Sequence, residues 1–209
     1  MKKVFAVIAA LVLAVPSFAQ YSSGGFDLDK ENLYYGVRIG MTGATLSGDA
    51  VEVKDLGSKV GLTLAGIIGL HISKTAPVFL ESGLYYESKG GKKVTVHDVP
   101  AFTKVGMDYL EIPILMKYGI PCTDDLAVLP FVGPTFAVGV AGKVKPGKYD
   151  TFHSDRFSRF DMGIKLGCGV EWNMIYAELG YHFGLANVSD IEDVDAHNGS
   201  FFMNLGINF

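Results

Sequence analysis

Beyond its first fifteen positions the sequence has no long uninterrupted apolar run, although 49% of its residues are hydrophobic. That absence excludes a helical membrane span in the body of the chain. A sustained 3.6-residue period is also missing, so helices are not needed to explain the apolar pattern. Cationic charge is in deficit: Lys and Arg total 18 against 22 Asp and Glu. An anionic chain argues against nucleic acid as a partner. Cysteine is scarce, with only Cys122 in the turn-like PCTDD and Cys168 in the middle of an alternating segment. Export would permit a disulfide, but these settings are read as too far apart, so both are expected to be free. No metal-ligand spacing, phosphate loop or dinucleotide fingerprint occurs. No cofactor is therefore expected.

What is present begins with MKKVFAVIAALVLAVPSFAQ. Lys2 and Lys3 precede an apolar run from Val4 to Val15, then Pro16, and Ser17 and Ala19 as small residues before Gln20. This reads as a cleaved secretory signal over 1–19. Residues 20–33 (QYSSGGFDLDKENL) form a polar, flexible lead-in, and 34–209 forms one domain. No cysteine follows the cut, which argues against a lipid anchor.

The domain repeats one unit, an alternating segment followed by a turn or a polar loop. Eight segments are expected, at about 34–46, 59–73, 77–88, 107–119, 127–142, 160–173, 174–186 and 199–209. Their connections alternate: 73–77, 120–125 and the Trp172-Asn173-Met174 corner are short, whereas 47–58, 89–106, 143–159 and 187–198 are long and polar. Short turns on one rim and long loops on the other are the pattern of an up-and-down meander. Pro113, Pro130 and Pro134 fall within segments and each removes a ladder donor, so bulges or local breaks are expected near them.

Along each segment one face is large and apolar, the other mostly glycine, alanine and threonine with scattered charges. Phe160, Met162, Ile164, Leu166, Cys168, Val170 and Trp172 alternate with Asp161, Gly163, Lys165, Gly167, Gly169 and Glu171. A small, sparse face suits the crowded interior of an eight-stranded barrel, and the apolar face then meets lipid. The expected fold is an all-β, closed, antiparallel, up-and-down eight-stranded transmembrane barrel. The last strand presents Phe201, Met203, Leu205, Ile207 and Phe209 to that lipid. Tyr34, Tyr35, Tyr85, Tyr86, Tyr109, Tyr118, Trp172 and Tyr176, near segment ends, fit interfacial girdles.

YLEIPILMKYGI (109–120), followed by LPFVGPTFAVGVAG (129–142), resembles the paired central strands of the PorT-type outer-membrane β-barrel family. GCGVEW (167–172), YAELGYHFGL (176–185) and FFMNLGINF (201–209) resemble its last three strands, so the likeness spans roughly 34–209. It implies an eight-stranded barrel in a Gram-negative outer membrane. It also implies that the C-terminal aromatic strand is an assembly signal read by the barrel-assembly machinery. The founding member of that family is tied to secretion of C-terminally signalled cargo, so a secretion-system partner is one expectation.

The inward face gathers Arg38, His71, Glu81, Glu111, Lys117, Asp161, Lys165, Glu171, Glu178 and His182. Charges in a narrow lumen are costly unless paired, so a cross-barrel network that plugs the lumen is expected. A proton or ion path is the functional alternative. Outside the lumen, Lys89, Lys92, Lys93 and Lys104, with Lys143, Lys145, Lys148, Arg156 and Arg159, make two basic loops. Such rims suit lipopolysaccharide phosphates as well as plain solvation. The acidic stretch Asp190, Glu192, Asp193 and Asp195 lacks the glycine and terminal glutamate of a calcium loop. His153-Ser154-Asp155 holds triad residue types, but sequence neighbours rarely converge as nucleophile and base.

The expected role is structural or interactive, exerted through surface loops, without enzymatic activity. Two alternatives stand beside it: a lipid-A-modifying enzyme, and an exported soluble barrel holding an apolar ligand.

Overall fold

The computed structural model describes residues 33–47, 51–53, 59–73, 76–96, 99–123, 125–145, 159–186 and 197–209. The signal segment, nearly all of the lead-in, the His153-Ser154-Asp155 stretch and the acidic stretch 190–195 lie outside them. Eight long strands carry the chain: β1 Leu33–Ser47, β2 Lys59–His71, β3 Val78–Val96, β4 Val99–Tyr118, β5 Leu126–Lys145, β6 Phe160–Trp172, β7 Ile175–Gly184 and β8 His197–Asn208. Two short pieces, Val51–Val53 and Ile120–Pro121, pair with β3 and β5.

Every long strand pairs antiparallel with its chain neighbour, and β8 returns to β1. Closure runs from Gly36 opposite Asn208 to Ser47 opposite His197. It extends to the last residue, since Phe209 and Tyr35 exchange backbone hydrogen bonds of 2.7 and 3.2 Å. The C-terminal phenylalanine is therefore tethered by its backbone while its side chain faces outward. A closed ladder leaves no edge, which is what an apolar exterior requires.

Period-two alternation sets the two faces. Along β8, Phe201, Met203, Leu205 and Ile207 are exposed while Phe202, Asn204 and Asn208 are buried. β6 alternates in the same way over its whole length. A two-residue turn joins β6 to β7, where Asn173 takes φ 54°. Asparagine tolerates that left-handed conformation better than most residues.

The prolines act differently from one another. Pro130 and Pro134 keep uninterrupted register with β6, opposite Cys168 and Ile164, but on its β4 side Pro134 lies in the interruption between Thr135 and Val132. At Pro113 the ladder is interrupted on both sides: its pairing with β3 skips from Ser82 to Tyr85, and with β5 from Thr135 to Val132. The Ser82 hydroxyl donates to the Pro113 carbonyl at 2.7 Å, replacing part of what the ladder lost. The register shifts fall elsewhere, between Asp108 and Tyr109 and between Val94 and Thr95.

Of the stretch 89–106, expected as a loop, 89–96 and 99–106 are strand. β3 and β4 continue to Val96 and Val99, well beyond the barrel wall, and β5 runs on to Lys145. Glycines and charges at 89–93 make the region look loop-like, but Lys89, Gly90, Gly91 and Lys92 pair in register, with Gly90 opposite Gly106 and Lys92 opposite Lys104.

Candidate functional site in the barrel lumen

Alternation aims one residue in two at a narrow interior, and there the charged side chains meet. Near the long-connection end, Lys165 Nζ lies 2.6 Å from Glu87 Oε1 and 2.5 Å from Glu111 Oε1. Lys89 Nζ approaches the other oxygens of the same carboxylates, at 2.9 Å for Glu111 and 3.5 Å for Glu87, with Asp161 at 3.8 Å. Two lysines thus share two glutamates in a ring drawn from β3, β4 and β6.

Near the short-turn end, Glu81 binds Lys117 at 2.8 Å and Arg38 at 3.5 Å, and accepts from the Tyr34 hydroxyl at 2.9 Å. Lys117 donates to Tyr176 Oη at 2.7 Å, which in turn donates to Glu178 at 3.0 Å. Asn204 donates to the second Glu178 oxygen at 2.8 Å, and Asn208 donates to Glu171 at 2.7 Å. The Arg38 guanidinium lies over the Tyr176 ring, 4.1 Å from its centroid.

Aromatic rings separate the two groups. Lys165 Nζ stands over Tyr85 and Phe202 at 4.8 and 5.0 Å, and Lys117 over Phe131 at 5.2 Å. Phe131 and Phe202 are themselves 6.3 Å apart, packed with Leu115. The rings find room because facing positions are glycine: a Cβ on Gly180 would come within 2.7 Å of the Phe202 ring. Charged heads that cannot reach water are thereby met by carboxylates on one side and ring faces on the other.

Of the ten polar residues expected here, Arg38, Glu81, Glu111, Lys117, Asp161, Lys165, Glu171, Glu178 and His182 are buried in the lumen. His182 stands apart from the ion pairs, 2.9 Å from the Thr135 hydroxyl. His71 is only half-buried at the short-turn mouth, stacked on Phe79 at 4.5 Å, with its Nε2 3.2 Å from the Ala76 carbonyl.

Glu87 and Lys89 escaped the sequence reading. Lys89, expected in a basic loop, is instead fully buried and central to the upper group. The signal was present: Glu81, Tyr85, Glu87 and Lys89 continue one inward parity past the expected strand end. Tyr85, Tyr109 and Tyr176 are likewise not girdle residues, since all three are buried inside. Tyr35, Tyr118 and Trp172 do face outward, at the short-turn rim. Side chains of Lys92, Lys93, Lys104, Lys143, Lys145, Lys148 and Arg156 lie outside the described set.

The chain matches the family model for the outer membrane protein beta-barrel domain over residues 18–190. It belongs to that family. This outer-membrane barrel therefore resides in the outer membrane of a Gram-negative envelope, with its apolar exterior against lipid. The expectation of a soluble barrel with its large apolar residues turned inward is overturned, because those residues face out.

Among curated proteins nothing matches by sequence. Among solved structures the barrel is similar to neisserial surface protein A, at 17% identity and a TM-score of 0.48, covering 86% of this chain and 100% of that one. It is also similar to Ail, the attachment invasion locus protein of Yersinia pestis, in complex with the heparin analogue sucrose octasulfate. There the identity is 10% and the TM-score 0.44, over 85% of this chain and 99% of that one. The N-terminal barrel domain of Pseudomonas aeruginosa OprF gives 14% and 0.41, over 89% and 99%.

Proposed function

We propose that this outer-membrane barrel is a non-catalytic, non-conducting surface protein: its lumen is plugged, and it acts through what it presents beyond the membrane. The observation that carries this reading is the pairing of four buried cations, Arg38, Lys89, Lys117 and Lys165, with Glu81, Glu87, Glu111, Asp161 and Glu178 across the lumen. An eight-stranded barrel has an interior filled by its own side chains. A conducted ion would have to break pairs whose members cannot be resolvated there. Planar-bilayer recording of the purified, folded chain tests this. No steady single-channel current is expected, and a robust current that responds to Lys165→Ala would sink the plug.

A secretion role of the PorT type is the second reading, resting on YLEIPILMKYGI. Its inward residues Tyr109, Glu111, Pro113, Leu115 and Lys117 are all buried in the lumen. That stretch thus encodes barrel packing, and a secretion role needs a partner of its own, which co-purification with secretion components would reveal. Lipopolysaccharide around the belt and the barrel-assembly machinery acting on Phe201, Met203, Leu205, Ile207 and Phe209 complete the proposed partners. Unchanged lipid A mass on overexpression is the outcome a non-catalytic role requires.

A further inference from the structure

Between its two charged groups the lumen wall carries almost nothing polar. Along β7 the inward residues run Glu178, Gly180 and His182, and along β8 they run Asn204, Phe202 and Ser200. β4 passes from Lys117 through Leu115 and Pro113 to Glu111, and β6 from Glu171 through Gly169 and Gly167 to Lys165. On β3, Gly83 and Tyr85 separate Glu81 from Glu87. Each of these strands thus changes from the lower group to the upper one across one or two apolar or glycine positions. Register then gathers the rings. Phe131 stands opposite Gly167, Gly167 opposite Gly180, and Gly180 opposite Phe202, an unbroken Phe-Gly-Gly-Phe row across β5 to β8. The row needs its glycines, since a Cβ on Gly167 would come within 2.5 Å of the Phe131 ring.

On either side of this level, buried polar atoms lack protein partners. His182 Nδ1 and Ser200 Oγ, on directly opposed residues above it, have no hydrogen bond to any described group. The same holds below it for Asn204 Oδ1 and Asn208 Oδ1. All four residues are more than nine-tenths buried. Buried polar atoms of this kind take water as their partner. The level between them has little to offer water: of the residues named there only Tyr85 carries a polar side-chain atom, and Leu115, Phe131 and Phe202 pack together. Apolar constrictions stay dry, and an ion entering one sheds its hydration without replacement.

We propose that Phe131 and Phe202, seated on Gly167 and Gly180 and closed by Leu115, form a dry septum that makes the barrel proton-tight. It separates a hydrated upper half of the lumen from a hydrated lower half. This rests on the reading of the barrel as non-conducting and adds what the ion pairs cannot supply. Carboxylates, histidine and water can hand a proton along either half, so pairing of charges alone does not stop proton movement. The rings hold no exchangeable proton and leave no room for a water chain. Lys165 Nζ over Phe202 at 5.0 Å and Lys117 Nζ over Phe131 at 5.2 Å bring each charged group against the septum. Truncating both rings frees room for several waters of about 30 Å³ each, enough to join the two halves.

The test uses the full chain refolded into vesicles that enclose a pH-sensitive dye, as wild type, F131A/F202A, F131L/F202L and K165M. A heat-modifiable gel shift first shows that each barrel is closed. After an external acid step, proton entry through F131A/F202A should be about tenfold faster than through the wild type, and the Leu variant should stay close to the wild type. K165M, which breaks an ion pair but keeps both rings, should leak less than the Ala variant. A closed Ala variant as tight as the wild type overturns the septum, and so does a K165M leak that equals or exceeds the Ala variant's. Where the Ala variant does not close, the wild type in lipid nanodiscs decides. Magnetisation transfer from water should reach the His182 and Asn204 side chains and not the Phe131 and Phe202 ring protons, and transfer to both rings overturns the septum. A steady ion current through the wild type sinks the plug, whereas a current-free wild type that passes protons sinks the septum alone.

Discussion

Lys117 Nζ stands 2.8 Å from Glu81 Oε1 at the foot of the lumen, with both side chains almost wholly buried. The two residues come from adjacent strands β4 and β3, yet the same lysine reaches Tyr176 on β7, 59 positions along the chain. Removing one partner of such a pair strands the other charge, at a cost of about 3–5 kcal/mol. Lys117→Met should therefore lower stability by that order, whereas the double variant K117M/E81Q should recover part of it. Urea titration of the barrel refolded into vesicles measures both. A double variant as damaged as the additive sum of its singles would show that the pair is not coupled.

Glu171 differs from the other buried carboxylates. Among the described residues it has no ion-pair partner, only the Asn208 amide at 2.7 Å. Glu171→Gln keeps an oxygen for Asn208 and removes a buried charge that lacks a close counter-ion, so stability should hold or rise. Glu111→Gln, which deprives both Lys89 and Lys165, should instead lower it by about 3 kcal/mol or more. Comparable losses from the two variants would contradict the assignment of roles.

Gly133 and Gly66 form a paired test of backbone approach. A Cβ on Gly133 would press into Ile114, with the Ile114 carbonyl carbon and Leu115 Cα both at 2.9 Å, at the place where the β4–β5 ladder is already interrupted. Gly66 faces open space, with nothing within 4 Å. Gly133→Ala is expected to cost about 2–3 kcal/mol, and Gly66→Ala to stay within about 0.5 kcal/mol. Refolding yield into vesicles, compared side by side, decides between them.

The outward belt should respond to charge by depth. Leu205, 56% exposed in the middle of β8, faces lipid, whereas Met174 lies in the β6–β7 turn at the rim. Leu205→Arg should cost about 2–4 kcal/mol and Met174→Arg about 0–1 kcal/mol. Equal tolerance at both positions would mean that Leu205 does not lie at depth in the bilayer.

Period-two alternation is a local property of the chain, so the sequence by itself determined that strands form, which face is apolar and which residues turn inward. Phe201, Met203, Leu205, Ile207 and Phe209 could be placed outside, and Arg38, Lys117 and Lys165 inside, without any knowledge of neighbours. Strand ends were less legible. Polar residues and glycines at 89–106 resemble a loop until pairing of β3 with β4 is known, and Lys89 was misplaced for that reason.

Tyr85, Tyr109 and Tyr176 were misread because an aromatic near a segment end satisfies a girdle and a lumen equally well. Only inward parity combined with closure separates the two. Which charge meets which was decided by the tertiary structure alone. Closing eight tilted strands staggers their registers, and that stagger brings Lys165 onto Glu87, 78 positions away. Alternation specifies the face of a strand; the height at which two distant strands meet across a barrel depends on every register between them.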